Sequence, residues 1–251
     1  MRGCLLAIAV LLPATAAAQG ADAMLAFSNG HFNEAANLAQ AHGDADNYAF
    51  AARSLLAKAV SGDVDPDPVV VGQAWKLAEE ALAIDPRHVE GRLQLAISMS
   101  LTARPMTTRQ ALRSGYGEKA RDLVLSIIED EPTNAYAHGF LSVWHVEVIR
   151  RGGRLGATVM GASVRKGRRH YQAAIAANPT DAALHWQWAR VLTALNADKY
   201  REEIDATLTA ALALPTETAL EGIMQSRART IETAFATLTE KEVEGLAAEM
   251  L

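Results

Sequence analysis

Along this chain the apolar positions recur three and four residues apart and do not alternate, so the pattern is that of helices carrying one packed stripe each. Ala74, Leu77, Ala78, Ala81 and Leu82 form such a stripe. Four prolines close stretches of this kind, at Asp85-Pro86, Glu131-Pro132, Asn178-Pro179 and Leu214-Pro215. In each case the proline ring biases the preceding residue out of the helical region. The phrases Ala81-Leu82-Ala83-Ile84-Asp85-Pro86 and Ala174-Ile175-Ala176-Ala177-Asn178-Pro179 are nearly the same, the mark of an internal helical repeat. Antiparallel helix pairs are predicted over 21–42, 44–86, 88–132, 134–179 and 181–214, followed by one or two closing helices within 217–250.

Three large-small dipeptides, Leu95-Ala96, Leu141-Ser142 and Trp188-Ala189, each fall nine residues after a proline. Later in the same units Ala74, Ala78, Ala81 and Pro86 keep a fixed spacing, as do Tyr171, Ala174 and Pro179, and, with larger side chains, Ala120, Val124, Ile127 and Pro132. Gly30-His31-Phe32-Asn33-Glu34-Ala35 looks like the turn between two helices, with the glycine leaving the first. These residues resemble the tetratricopeptide repeat family, in which a large residue followed by a small one lets the partner helix approach closely. The resemblance implies an all-α fold: an α-solenoid of about five helix pairs with a C-terminal cap, in which Leu238, Val243 and Leu246 face inward and Glu240, Glu242, Glu244 and Glu249 outward. More remotely the chain is similar to the helical-repeat accessory components of periplasmic solute-uptake systems.

The beginning of the sequence follows another pattern. Met1-Arg2 is a short positive start, Cys4 to Leu12 an unbroken apolar run, Pro13 its end, and Ala16-Ala17-Ala18 a cleavage signal with Gln19 following. An export leader over 1–18 is expected, with a single repeat domain over 19–251 and a periplasmic location. An apolar run of this length is short for a membrane anchor, and no later segment is long and apolar enough to span. The only cysteine of the 251 residues, Cys4, lies in the leader, which excludes disulfides, thiolate metal sites and a cysteine nucleophile from the remainder. Half of the residues are hydrophobic and fifty are alanine, a composition that excludes a disordered chain and leans toward helix.

Charge changes the picture at one place. The helix joints carry insertions at Ser61–Gly72, Leu101–Gly117 and Ile149–Gly167, and equivalent joints of a stacked array line up, so these segments are expected to share one edge. The third, followed through Arg150 to His170 just past its end, holds Arg150, Arg151, Arg154, Arg165, Lys166, Arg168 and Arg169 with no acid among them. It carries +7 in a chain whose net charge is -5. Such a stretch suits an anionic partner, whether protein, carboxylate, phosphate or lipid head, or else pairs with the chain's own acids such as Glu129, Asp130 and Glu131. Arg92, Tyr136, His185 and Trp186 are the candidates for the concave groove, joined by Gln94, while Trp144 and Trp188 are expected in the core.

No Gly-rich phosphate loop, nucleophile elbow or paired metal histidines on one helix face are present, so no catalytic residue, metal ligand or cofactor is assigned. His138 and His145 lie seven apart with no third convergent ligand, a spacing that fits packing better than zinc. The acidic balance disfavours nucleic acid. Two functions remain open. One is an exported scaffold that binds a protein or peptide through its concave face and basic edge; the alternative is a small-ligand-binding or transport accessory, favoured if the groove proves to be an enclosed pocket.

Overall fold

A computed structural model describes residues 16–62 and 65–250, and every regular element in them is helical. Five antiparallel pairs follow one another: α1 (Ala16–Ser28) with α2 (Phe32–Gln40), α3 (Ala45–Ser61) with α4 (Pro68–Ile84), α5 (Val89–Ala103) with α7 (Tyr116–Asp130), α8 (Ala135–Met160) with α9 (Val164–Ala177), and α10 (Ala182–Leu195) with α11 (Arg201–Ala213). A short α6 (Thr108–Ser114) interrupts the third pair, and α12 (Ala219–Ala234) and α13 (Glu240–Glu249) complete the chain. The segment read as an export leader lies outside the described residues except for its last three, which open α1.

The helix ends follow from local chemistry. Asp85, Glu131 and Asn178, each before a proline, leave the helical region and donate their N–H to the carbonyl four residues back. Asp44, Asp67, His88, Asn134, Ser163 and Asp181 cap N-termini by accepting a backbone N–H of the first turn, and Thr107, Thr218 and Thr239 form reciprocal capping boxes. Gly30, at φ 82°, turns the chain between α1 and α2, where a side chain would be strained.

The repeat residues do the packing expected of them. Leu95-Ala96, Leu141-Ser142 and Trp188-Ala189 are all buried between helices, as are Ala120, Val124, Ile127, Tyr171 and Ala174. Alanines fully removed from solvent at Ala74, Ala78 and Ala81 let α4 sit close to α3 and α5. Tyr171 stacks on Trp188 at 5.2 Å, and the Trp188 indole N–H donates to Glu203.

Two features depart from expectation. The first insertion is short: Asp67 caps α4 and Pro68 starts it, so Val70 and Val71 lie buried in the helix rather than in a loop. The closing helices also do more than cover an open end. Both pack on α10, and α12 in addition touches α1 and α3, with the Arg227 guanidinium donating to the carbonyls of Val60 and Gly62 at 2.7 Å each. Ala219 meets Gly30, and Leu220 packs against the Phe27, Phe32 and Ala57 cluster. At the C-terminal end of α5, Arg104 donates to the carbonyls of Ala248 and Glu249. The last helices therefore return to the first, and the array closes into a ring. Leu238, expected inside, is 41% exposed, while Val243 is fully buried.

Candidate functional site

Ring closure surrounds a half-open cavity of about 1130 Å³, lined by the inward faces of α3, α5, α8 and α10 and by the end of α13. That exceeds the roughly 300–1,000 Å³ of ordinary small-molecule pockets. Its middle is apolar, with Leu56, Leu93, Ile97, Phe140, Val143 and Leu184 on the wall. Leu93 and Ile97 lie four apart on α5 and Phe140 and Val143 three apart on α8, the spacing of one helical face.

The inserted segments form the rim. α6 presents Thr108, Ala111 and Leu112, and the end of α8 presents Leu155, Val159 and Met160. Leu112 is 57% exposed, Leu155 77% and Val159 68%, so the rim shows apolar side chains to solvent as well as to the cavity. The three joints do share an edge: Arg104 meets Asp65 at 3.4 Å, and Arg151 donates to the carbonyls of Ala103 and Met106 while its own carbonyl accepts from Thr108. α8 is sharply bent at Gly153, where φ is 59° and ψ -157°, a conformation open to glycine alone. The bend swings residues 154–160 across the rim.

Below that rim lies a cluster of charge. Glu147 accepts from Arg150 at 2.8 Å and pairs with Arg190 at 3.4 Å, and Arg104 and Arg151 stand close enough to act on the same group. Burial pushes the Glu147 carboxyl up, but Arg190 and Arg150 more than offset this and hold it below the usual carboxylate range. Burial draws the Arg190 guanidinium down from its usual value, with Glu147 opposing, and acts on Arg151 in the same direction. At the opposite end of the inner helices sit Arg53, Glu90, Tyr136 and Asp181. There burial raises the Tyr136 hydroxyl above its ordinary value, and Asp181 adds to the effect. From Glu90 to Arg104 along α5, and from Tyr136 to Arg150 along α8, the helical rise separates the two ends by about 21 Å.

The sequence-derived candidates fall in different places. Of the groove residues, Tyr136 lines the cavity, as does Gln94. The other three are turned into helix contacts. Arg92, 6% exposed, bonds Ser126, the Arg87 carbonyl and Asp130; His185 bonds the Tyr171 hydroxyl at 2.7 Å; Trp186 is fully buried. One residue along a helix is a turn of about 100°, so naming Arg92 in place of Leu93 and His185 in place of Leu184 moves the choice off the inner face. Within the basic insertion Arg150 and Arg151 line the cavity, Arg168 grips Glu203 with two bonds of 2.9 and 2.7 Å, and Lys166 donates to the Gly161 carbonyl. Arg154, Arg165 and Arg169 are exposed and form no ion pair with a described residue. Pairing with the chain's own acids thus occurs, through Glu147 and Glu203; Asp130 is taken instead by Arg87 and Arg92.

His138 and His145 are brought together through a residue outside the sequence reading. His170 lies 2.8 Å from His138 between Nδ1 atoms, and its ring stacks on His145 at 5.7 Å. Burial, with the neighbouring His170, Lys166, Arg121 and Arg169, pushes His145 down to about 4, and burial together with His138 does the same to His170. Among the described residues no group of three or more His, Cys, Asp or Glu side chains is arranged to hold a metal ion. No described helix is long and apolar enough to cross a membrane.

No protein-family model and no curated protein matches the chain. Among solved structures it is similar to a thermophilic tetratricopeptide-repeat protein of Thermus thermophilus, with a TM-score of 0.53, 17% identity, and coverage of 92% of this chain and 97% of that one. With the helix pairing described above, this likeness establishes a tetratricopeptide-type α-solenoid fold.

Proposed function

We propose that this chain is a non-catalytic small-molecule-binding protein whose closed ring of repeats takes an apolar ligand into its central cavity. The observation that carries this is the closure itself. Repeats that bind peptides through an open groove need both ends of that groove accessible, whereas here α12 and α13 return to α1, α3 and α5 around an apolar-walled space. If residues 1–18 act as an export leader, the binding takes place in the periplasm, with 19–251 as the single mature domain.

The test is a titration with the uncharged fluorophore N-phenyl-1-naphthylamine. Saturable binding at one site per chain, with a blue-shifted emission, is expected. Leu155→Asp and Leu112→Asp, exposed rim positions whose substitution costs the core little, should weaken it at least fivefold. Val69→Asp, equally exposed but away from the cavity, should not. Equal binding by all four proteins would overturn the proposal.

A second reading has one observation in its favour. Arg154, Arg165 and Arg169 face solvent on the outside of the same insertion, a basic patch suited to an acidic protein partner of the kind that receives or delivers a ligand. Replacing these three by Gln should abolish capture of such a partner and leave fluorophore binding intact.

A further inference from the structure

The charged cluster under the rim deepens the proposed function and rests on it. Arg104, Arg150, Arg151 and Arg190 all line the cavity, and the acid set among them is Glu147. Arg190, only 4% exposed, feels Glu147 as its attractive charge and Arg104 and Arg150 as repulsive ones. The other acids of the lining near these arginines are exposed and screened by water: Asp65, which reaches Arg104, is 81% exposed on its side chain, and Glu118 and Glu249 are exposed as well. The remaining guanidinium bonds go to neutral acceptors: Arg151 to the carbonyls of Ala103 and Met106, Arg104 to those of Ala248 and Glu249, and Arg190 to the Gln187 side chain and the Met250 carbonyl. Neutral oxygens satisfy N–H groups without cancelling charge. A sheltered site with more guanidinium than carboxylate charge is costly unless another anion joins it.

The rest of the cavity says what that anion is attached to. The wall between the two ends is aliphatic and aromatic, and the far end, with Glu90 and Asp181 against Arg53, is unfavourable to a second negative charge. We infer that the cavity is built for an amphiphile with a single anionic head, a carboxylate or a phosphate, held by Arg104, Arg150 and Arg190 beneath the rim, its apolar chain running down between Phe140, Val143 and Leu184. Guanidinium groups engage both kinds of head through paired N–H donors. A saturated chain of about twelve carbons fits within the ~21 Å that the helical rise sets between the ends.

The experiment displaces N-phenyl-1-naphthylamine from the full chain at pH 8 with dodecanol, dodecanoate or dodecyl phosphate. Both anions should displace it at concentrations at least tenfold below that of dodecanol, and the tighter of the two identifies the head. Arg150→Gln, which leaves Glu147 paired with Arg190, should cut that preference to threefold or less while dodecanol displaces as before; Arg104→Gln serves as a second, independent variant. Dodecanol as effective as the anions, or an anion preference untouched in both variants, would overturn the inference while leaving an apolar cavity in place. Failure of the fluorophore to bind at all would overturn the proposed function, and this inference with it.

Discussion

Close approach of helices through small residues is what makes this fold, and α9 offers a position where that claim can be given a sign. A Cβ built on Gly167 would lie 2.9 Å from the Ser142 carbonyl oxygen and 3.2 Å from the Trp188 ring. The oxygen belongs to the backbone of α8 and retreats only if the whole helix shifts. Gly167→Ala gains about 1 kcal/mol of helix propensity and loses about 1–3 kcal/mol to overpacking, so the net expected effect is a loss of about 1 kcal/mol. Gly72 in α4 has no atom within 4 Å of its built Cβ, so Gly72→Ala keeps the propensity gain alone, about 0.5–1 kcal/mol. The two variants should therefore move urea midpoints, followed by helical circular dichroism, in opposite directions. A Gly167→Ala midpoint raised as far as that of Gly72→Ala would show that α8 and α9 do not depend on a glycine at their crossing.

Acid should destabilise the protein before its carboxylates titrate. His145 and His170 are neutral in the fold, held to about 4, whereas in the unfolded chain each takes up a proton near 6.5, so stability present above about pH 6.5 is lost as pH falls toward 4. The linkage sets a loss of up to about 2 kcal/mol for each histidine at pH 5 relative to pH 7.5, and His170→Gln should flatten that limb of the urea-midpoint profile. Arg227→Ala removes two bonds that tie α12 to the end of α3, and a loss of about 1.5–3 kcal/mol is expected. Hydrogen exchange should then rise in α1 and α12 and stay unchanged in α7; uniform protection throughout would count against ring closure. In a series of straight-chain alcohols, each methylene should tighten fluorophore displacement about fourfold, from about 0.8 kcal/mol per buried CH₂, until the cavity fills. A flat series would contradict an apolar interior.

The repeats are legible in the sequence because their signals are local. A proline after Asp85, Glu131 or Asn178 ends a helix wherever it occurs, and a small residue beside Leu95, Leu141 or Trp188 marks a close approach within one unit. The first insertion misleads because Asp67-Pro68 before a run of valines looks like a loop, although an acidic cap followed by proline at the first helical position is itself a helix start. Closure of the ring is beyond local signals, since it depends on the summed rotation of five pairs and brings Arg227 to Val60 across 167 residues of chain. With closure comes the cavity, and with it the roles of Glu147, Arg104 and Arg190. Arg150 and Arg151 stand out in the sequence for their charge density alone, and the same signal marks Arg168, whose partner Glu203 lies on another helix. The inner-face stripe of Leu93, Ile97 and Leu101, or of Phe140, Val143 and Glu147, is visible in the spacing; what sequence lacks is the direction in which it points.

Whether the ring holds an anionic amphiphile can be seen in a crystal of the full chain grown with 12-bromododecanoate, because the bromine reports the tail by anomalous scattering and the electron density the head. One bromine site is expected inside the ring near Phe140 and Leu184, with a carboxylate within hydrogen-bond distance of Arg150 or Arg104. Bromine found on the outer surface, or inside the ring with the head turned toward Glu90 and Asp181, would contradict the binding mode set out above.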